Sequence, residues 1–242
     1  MPELTIASFN THWGRGPRGL DYQSFEVVEA CRRLDADVLV LQESWAPDDG
    51  PSDHARVAAA LGMCVVAETS LARAVIDPKP KVTGRAASRS GDGSWVLALL
   101  TGSEVRSAEV IPLPHLWPDP VDRAVLAVEV AVDGSPLHVR ATHLPHLEMG
   151  VHLSTMALRR TLPDPSVAAA LIGDMNMWGW SIDAMVPRGW RRVVKGKTFP
   201  AHRPHSQIDH LLVTRSVEAV DSAVGPDLGS DHLPIRARLR WS

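Results

Sequence analysis

Polar residues recur in this chain where apolar runs end. Asn10 follows LTIASF, Glu43 follows VLVLQ, and His143 closes the run before Leu144–Pro145. Asp174 and Asn176 stand in IGDMN, Asp209 in SQIDHLLV, and Asp231 and His232 in GSDHLPI. Taken singly, each has an ordinary explanation. Asn, Asp or Ser at a strand end usually serves turn chemistry, and a carboxylate after an apolar run is usually the first solvated residue. Two positions resist that explanation. Asp209 is enclosed by Ile208 and Leu211–Leu212–Val213, where a carboxylate needs a buried partner. Asp231–His232 directly precedes an apolar strand, where a loop should end quietly. A buried carboxylate accepting a hydrogen bond from an imidazole answers both observations. It fixes the ring's tautomer and stabilises its protonated form, which is acid–base chemistry.

The elements that must position these groups follow from periodicity. Residues 4–9 read as a strand. Val27, Ala30, Cys31 and Leu34 repeat at helix spacing, with Asp21 as the N-cap. VLVLQ at 38–42 is a nearly continuous apolar strand, which implies burial on both faces. A helix at 53–61 and a strand at 63–67 complete a β–helix–β–helix–β opening. After a long loop, runs at 95–100, 105–111, 124–132 and 137–142 are strand-like, the last two joined by the hairpin turn Asp133–Gly134. A helix is expected at 152–162, then strands at 168–172, 208–214, 217–224 and 235–240. Repeats, linkers and low-complexity tracts are absent, so one domain over 1–242 is expected. Two sheets packed face to face with helices on their outer faces accommodate this order, although periodicity alone does not exclude an open doubly wound sheet.

Composition narrows the function classes. With 45% hydrophobic and 22% charged residues, the chain can bury a sizeable core. A formal charge of −3 supplies no global basic field, so an anionic ligand must be held locally and an extended duplex-DNA groove is disfavoured. Cys31 and Cys64 lie in apolar patterns and read as buried thiols, not a disulfide framework. No run approaches the ~18 apolar residues of a membrane span, no export signal is legible, and a reducing cytoplasm is the expected compartment. No segment points to an obligate protein partner.

The segments SFNTHWG (8–14), LQE (41–43), ATHL (141–144), GDMN (173–176), QIDHLLV (207–213) and SDHLPI (230–235) follow one another along the chain. None is specific alone; their ordered combination is. In it the chain resembles the endonuclease/exonuclease/phosphatase superfamily, which includes nucleases, sphingomyelinases and inositol-phosphate phosphatases. The resemblance implies an α/β (α+β) fold of the DNase I type: two packed mixed β-sheets in a sandwich, flanked by helices. It implies metal-dependent hydrolysis of a phosphodiester or phosphomonoester, with nucleic acid among the candidate substrates. Glu43 would be the main metal carboxylate, supported by Asn10 and Asp231, and oxygen donors of this kind suit Mg²⁺, with Mn²⁺ as substitute. Asp174 would orient or deprotonate the attacking water and Asn176 hold a phosphate oxygen. His143 would donate to the phosphoryl group, and His232, oriented by Asp209, would do acid–base work or stabilise charge. Sequence leaves open whether Asp174 or His232 takes the proton.

Two other readings compete. A zinc site built from several of the eleven histidines is one, but HExxH is absent and neither cysteine has a CxxC partner. A non-catalytic binding module of the same fold is the other, although such a descendant should have lost site residues and every matched position is filled. Substrate contacts would come from loops. The candidates are Arg85 in the basic loop 72–93, Arg123 at a strand start after a Pro-rich loop, and Trp178, which follows GDMN and could stack a base or meet a lipid.

Overall fold

The computed structural model describes residues 1–18, 21–74, 92–115, 119, 121–146 and 151–242. In chain order the first half contains β1 (Glu3–Asn10), a 3₁₀ turn (His12–Gly14), the hairpin strands β2 (Arg15–Arg18) and β3 (Asp21–Ser24), α1 (Val27–Arg32), β4 (Val38–Pro47), α2 (Asp53–Leu61), β5 (Cys64–Ala74) and β6 (Gly93–Thr101). The second half contains β7 (Glu104–Pro112), β8 (Ala124–Val132), β9 (Ser135–His143), α3 (Val151–Arg159), β10 (Ala169–Asp174) and α4 (Gly179–Met185). It ends with β11 (Trp190–Arg192), β12 (Asp209–Thr214), β13 (Val217–Val224) and β14 (Ile235–Trp241).

Alternation along the strands sorts the apolar residues into three cores. Leu4, Ile6, Val38 and Val40 face Val139, Ala141, Ile172 and Leu211 across the space between two sheets. The opposite faces carry Ala7, Phe9, Leu39 and Leu41, covered by Val27, Ala30 and Cys31 of α1 and Val57 of α2. On the second sheet, Leu171 and Leu212 pack beneath Val151 and Leu158 of α3 and Ile182 of α4. Each Val, Leu, Ile or Phe among them contributes roughly 1.5–3 kcal/mol by leaving water. The result is a helix–sheet–sheet–helix sandwich, which excludes the open doubly wound sheet.

The sheets share a plan. One runs β13-β14-β1-β4-β6-β5 and the other β11-β12-β10-β9-β8-β7. Each is mixed, with one parallel pair at its centre: β1 with β4, and β9 with β10. Both central pairs are apolar on two faces, as VLVLQ and AALIG require. Helix α2 starts where Ser52 Oγ accepts the Ala55 N–H at 3.2 Å and stops at Gly62, whose φ of 67° is left-handed. Asp133–Gly134, with φ of 50° and 74°, forms the expected hairpin turn.

Several expectations need correction. Asp21 does not cap a helix: it starts β3, which pairs with β2 in the register Arg18↔Asp21, and α1 begins only at Val27 after Glu26. Backbone pairing with the preceding segment outweighed a capping signal of about 1 kcal/mol. Cys31 is buried but Cys64 is exposed, because it begins β5, the edge strand of its sheet. The hairpin β2–β3, α4 and β11 were not legible in periodicity, being too short to show one. No helix among the described residues is long and apolar enough to cross a membrane.

Candidate active site

Strand register builds half of the site directly. Asp174 lies opposite His143 on parallel β9 and opposite Asp209 on antiparallel β12. Counting back in twos reaches Ala141, Ile172 and Leu211, all facing the other sheet, so the three polar side chains form a row pointing inward at one end of the sandwich. Gly173 makes the close strand approach possible. Its φ is 144°, and a Cβ there would lie 1.9 Å from the Thr142 carbonyl oxygen. From the facing sheet Asn10 arrives with the inward parity of Ile6. Its amide nitrogen donates to Asp174 Oδ2 at 3.1 Å and to Glu43 Oε1 at 3.3 Å, joining the two sheets.

Glu43 reaches the same place by a different route. Its parity with Leu39 and Leu41 points it outward, toward the helices. The register of β4 against β6 slips between Leu41 and Ser44, however, and Glu43 adopts φ of 49°. This bulge turns the carboxylate inward. A side chain in that backbone region costs of order 1–3 kcal/mol. Among the described residues, the other non-glycine positive φ values are at His12, Trp13 and Asn176, beside the site, and at Asp35 and Asp133, in turns.

Asp174 Oδ2 is the focus of the polar groups. Besides Asn10, it meets His143 Nε2 at 3.5 Å and His232 Nε2 at 3.7 Å, while Asp174 Oδ1 accepts the Asn176 N–H at 2.9 Å. His232 Nδ1 lies 2.9 Å from Asp209 Oδ2, and Phe199 packs on its ring at 4.8 Å between centroids. Burial, together with the neighbouring Asp209 carboxylate, pushes Asp174 up to about 7. Burial works against charge on His232, but Asp209 and Asp174 outweigh it and push the ring up to about 10. His143 is held well below the usual imidazole range, by burial first and then by Arg123 and His232, so it is neutral. Asn176 Nδ2 donates to the Leu144 carbonyl at 2.8 Å and lies 3.4 Å from His143 Nε2.

The lip of the site is more open. Trp13 Nε1 donates to Glu43 Oε2 at 2.8 Å. Asp231 keeps partial solvent exposure, 3.3 Å from Ser230 Oγ and 3.7 Å from His12 Nδ1. Ser230 Oγ also donates to the Asn10 carbonyl at 2.7 Å, which ties the 230–232 loop to β1.

Two donor sets could hold a cation. Asp174, Asp209 and His232 form the tightest cluster, each offering an atom within 4.8 Å of the others. Their atoms are already paired, and a protonated imidazole has no lone pair for a metal. Glu43 and Asp231, both partly exposed, with the buried Asn10 amide oxygen offer a second set, made of oxygen donors of the kind a hard cation takes. No second histidine joins the tight cluster among the described residues, so the structure assembles no multi-histidine zinc site there.

Of the sequence-derived substrate contacts, Arg123 and Trp178 lie among the described residues. Arg123 is buried, with Nε 2.8 Å from Asp119 Oδ2 and Nη1 donating to the His143 carbonyl at 3.3 Å. It therefore braces the end of β9, and its charge is spent on Asp119. Arg85 and most of the loop 72–93 lie outside the described residues. Trp178 is exposed at the start of α4, its ring centroid 6.3 Å from that of Trp180. Trp13, Asp119 and Ser230 were missed by sequence reasoning. Trp13 and Ser230 had a signal, their places inside SFNTHWG and SDHLPI, and Asp119 had none.

The family model described as Endonuclease/Exonuclease/phosphatase family matches residues 7–232. No curated protein matches the chain in sequence. Among solved structures, an endonuclease/exonuclease/phosphatase from Beutenbergia cavernae superposes with a TM-score of 0.71 at 21% identity, covering 100% of this chain and 72% of that one. A mannosyl-6-phosphatase from Bacteroides thetaiotaomicron gives 0.68 at 17% identity, over 98% and 100% of the two chains. A humanized D. rerio TDP2 gives 0.63 at 18%, over 98% and 99%. At these identities the structures share the fold alone. With its motifs at one end of the sandwich and a family match over nearly its whole length, the chain belongs to the endonuclease/exonuclease/phosphatase family.

Proposed function

We propose that the protein is a metal-dependent phosphoester hydrolase in which water attacks in line at phosphorus. The observation that carries this reading is the convergence of Asn10, His143 and His232 on Asp174 Oδ2, with Glu43 held on the other side of Asn10. Family membership supports it, as does the fold shared with a mannosyl-6-phosphatase.

Glu43, Asn10 and Asp231 would hold Mg²⁺, with Mn²⁺ its natural substitute. When bound, the ion supplies positive charge to a phosphate oxygen and to the leaving oxygen. Asp174 accepts the proton of the attacking water on Oδ2, the oxygen on which Asn10, His143 and His232 converge, since its affinity for a proton is raised by burial and Asp209. His232, oriented by Asp209, already carries its proton and acts as a donor to a phosphoryl oxygen. His143 is neutral, and with Nε2 facing Asp174 and Glu43 it carries its hydrogen there and donates from the opposite side. The Asn176 amide adds a further donor. As the bond to the leaving group breaks, its electron pair passes to the leaving oxygen, which takes a solvent proton, and Asp174 releases its own.

Trp178 is the described candidate for contact with the rest of the substrate, and Arg85 remains a candidate from the sequence. Hydrolysis of bis(p-nitrophenyl) phosphate and p-nitrophenyl phosphate tests the reading. Turnover should require Mg²⁺ or Mn²⁺ and stop in EDTA. Full turnover in EDTA, or rescue by zinc alone, would overturn the metal assignment, and no turnover of any phosphoester with any divalent ion would favour a binding module.

A further inference from the structure

Trp13 stands apart from the residues used above. Its indole N–H donates to Glu43 Oε2 at 2.8 Å, while Oε1 faces Asn10 and His143. The indole is fixed from several sides. It stacks on Trp95 with centroids 5.1 Å apart and planes 4° from parallel, and the His12 ring lies 4.2 Å away. The turn that carries it is stapled to the bulge itself, because Thr11 N–H donates to the Gln42 carbonyl at 2.9 Å and Thr11 Oγ1 lies 3.3 Å from the Glu43 carbonyl. Trp13 pays for this placement with a left-handed φ of 57°. A residue needed only for packing could fill the same space without that backbone or that donor.

We infer that Trp13 is a positioning residue that sets metal specificity: by occupying Oε2 it leaves Glu43 a single oxygen to offer. The inference rests on the proposed role of Glu43 as metal carboxylate. The physical basis is the different demand of the two common hard cations. Ca²⁺ takes 6–8 oxygens and readily binds a carboxylate through both, whereas Mg²⁺ keeps a tight octahedron and uses carboxylates one oxygen at a time. A Glu43 with one oxygen committed to an indole therefore favours Mg²⁺ and Mn²⁺ over Ca²⁺. Partners that hold a ligand in place are typically worth about 10–100-fold in metal affinity.

The test uses Trp13→Phe, which keeps an aromatic ring beside Trp95 and removes the donor. Mn²⁺ binding is followed by electron paramagnetic resonance, with Ca²⁺ as competitor, in wild type and variant. The ratio of Mn²⁺ to Ca²⁺ affinity should fall by at least about tenfold in the variant, at unchanged circular dichroism. An unchanged ratio in a folded variant overturns the inference. A wild type that binds no Mn²⁺ overturns the reading of Glu43 first, and this inference with it. Should the variant fail to fold, the ¹⁵N-indole spectrum of the wild type decides: the Trp13 N–H should stay protected from exchange when Mg²⁺ is added, and its release overturns the inference.

Discussion

Asp174 ends the central parallel pair of one sheet and Glu43 follows the last paired residue, Gln42, of the other, yet they live in different surroundings. Asp174 stays in register with His143 and Asp209, faces inward by simple alternation, and has a side chain only 2% exposed. Glu43 faces inward only because a bulge and a left-handed backbone turn it, and its side chain remains 19% exposed. The closed carboxylate is committed to neighbours that the low dielectric strengthens, so its chemistry is proton transfer. The open one keeps an oxygen and a path to solvent, which is what a cation with its waters needs. Asn10 is hydrogen-bonded to both and keeps the two environments a few ångströms apart.

The largest expected effect lies on the closed side. Asp209→Asn and His232→Ala should each lower kcat/KM by ~10²–10⁴, and the double variant should be little worse than the worse single one. Steady-state kinetics of the three proteins decide it. If the two losses multiply, His232 is oriented by something other than Asp209.

Next comes the brace behind His143. Arg123→Met leaves Asp119 buried without its cation, and breaking such a pair costs about 3–5 kcal/mol. Chemical denaturation should show that loss, whereas Glu43→Gln at the open lip should cost under ~1 kcal/mol while raising the Mg²⁺ concentration needed for half-maximal activity. Equal destabilisation by the two changes would erase the contrast between the closed and open sides.

A smaller effect concerns pH. His232 has a raised folded value, so its contribution to stability is complete below the ordinary imidazole value of ~6.5 and is lost as pH climbs through about 10. Asp174, also raised, loses its contribution between ~4 and about 7. Both windows have the same sign. The melting temperature of the metal-free protein should therefore drift down as pH rises from about 5 to about 9, and His232→Ala should flatten the upper part of the drift. A wild-type slope above pH 7 that the variant leaves unchanged would assign it to other groups.

The smallest effect is expected at Trp178, which is exposed and ties no strand. Trp178→Ala should leave the melting temperature unchanged and raise KM a few-fold for substrates with an aromatic group near the phosphate, with kcat intact. An unchanged KM across such substrates would leave Trp178 as surface.

How far the sequence reached can be judged residue by residue. Alternating and continuous apolar runs placed most of the strands and marked VLVLQ as buried on both faces, because burial leaves its period in the chain. Asp209 was legible as a buried carboxylate from its apolar neighbours alone, and its bond to His232, 23 positions away, matches the need that burial created. The order of the motifs was enough to identify the family. What alternation does not carry is any departure from alternation. Nothing in VLVLQES announces that the register slips at Glu43, since a bulge is settled by what the neighbouring strand and the 3₁₀ turn stapled to it demand. The same holds for Trp13, whose donor meets Glu43 only after the turn is stapled to β4, and for Arg123, whose charge looked free until Asp119 was found beside it. Local pattern determined which faces are buried; the closing of two sheets on one another decided which charges met.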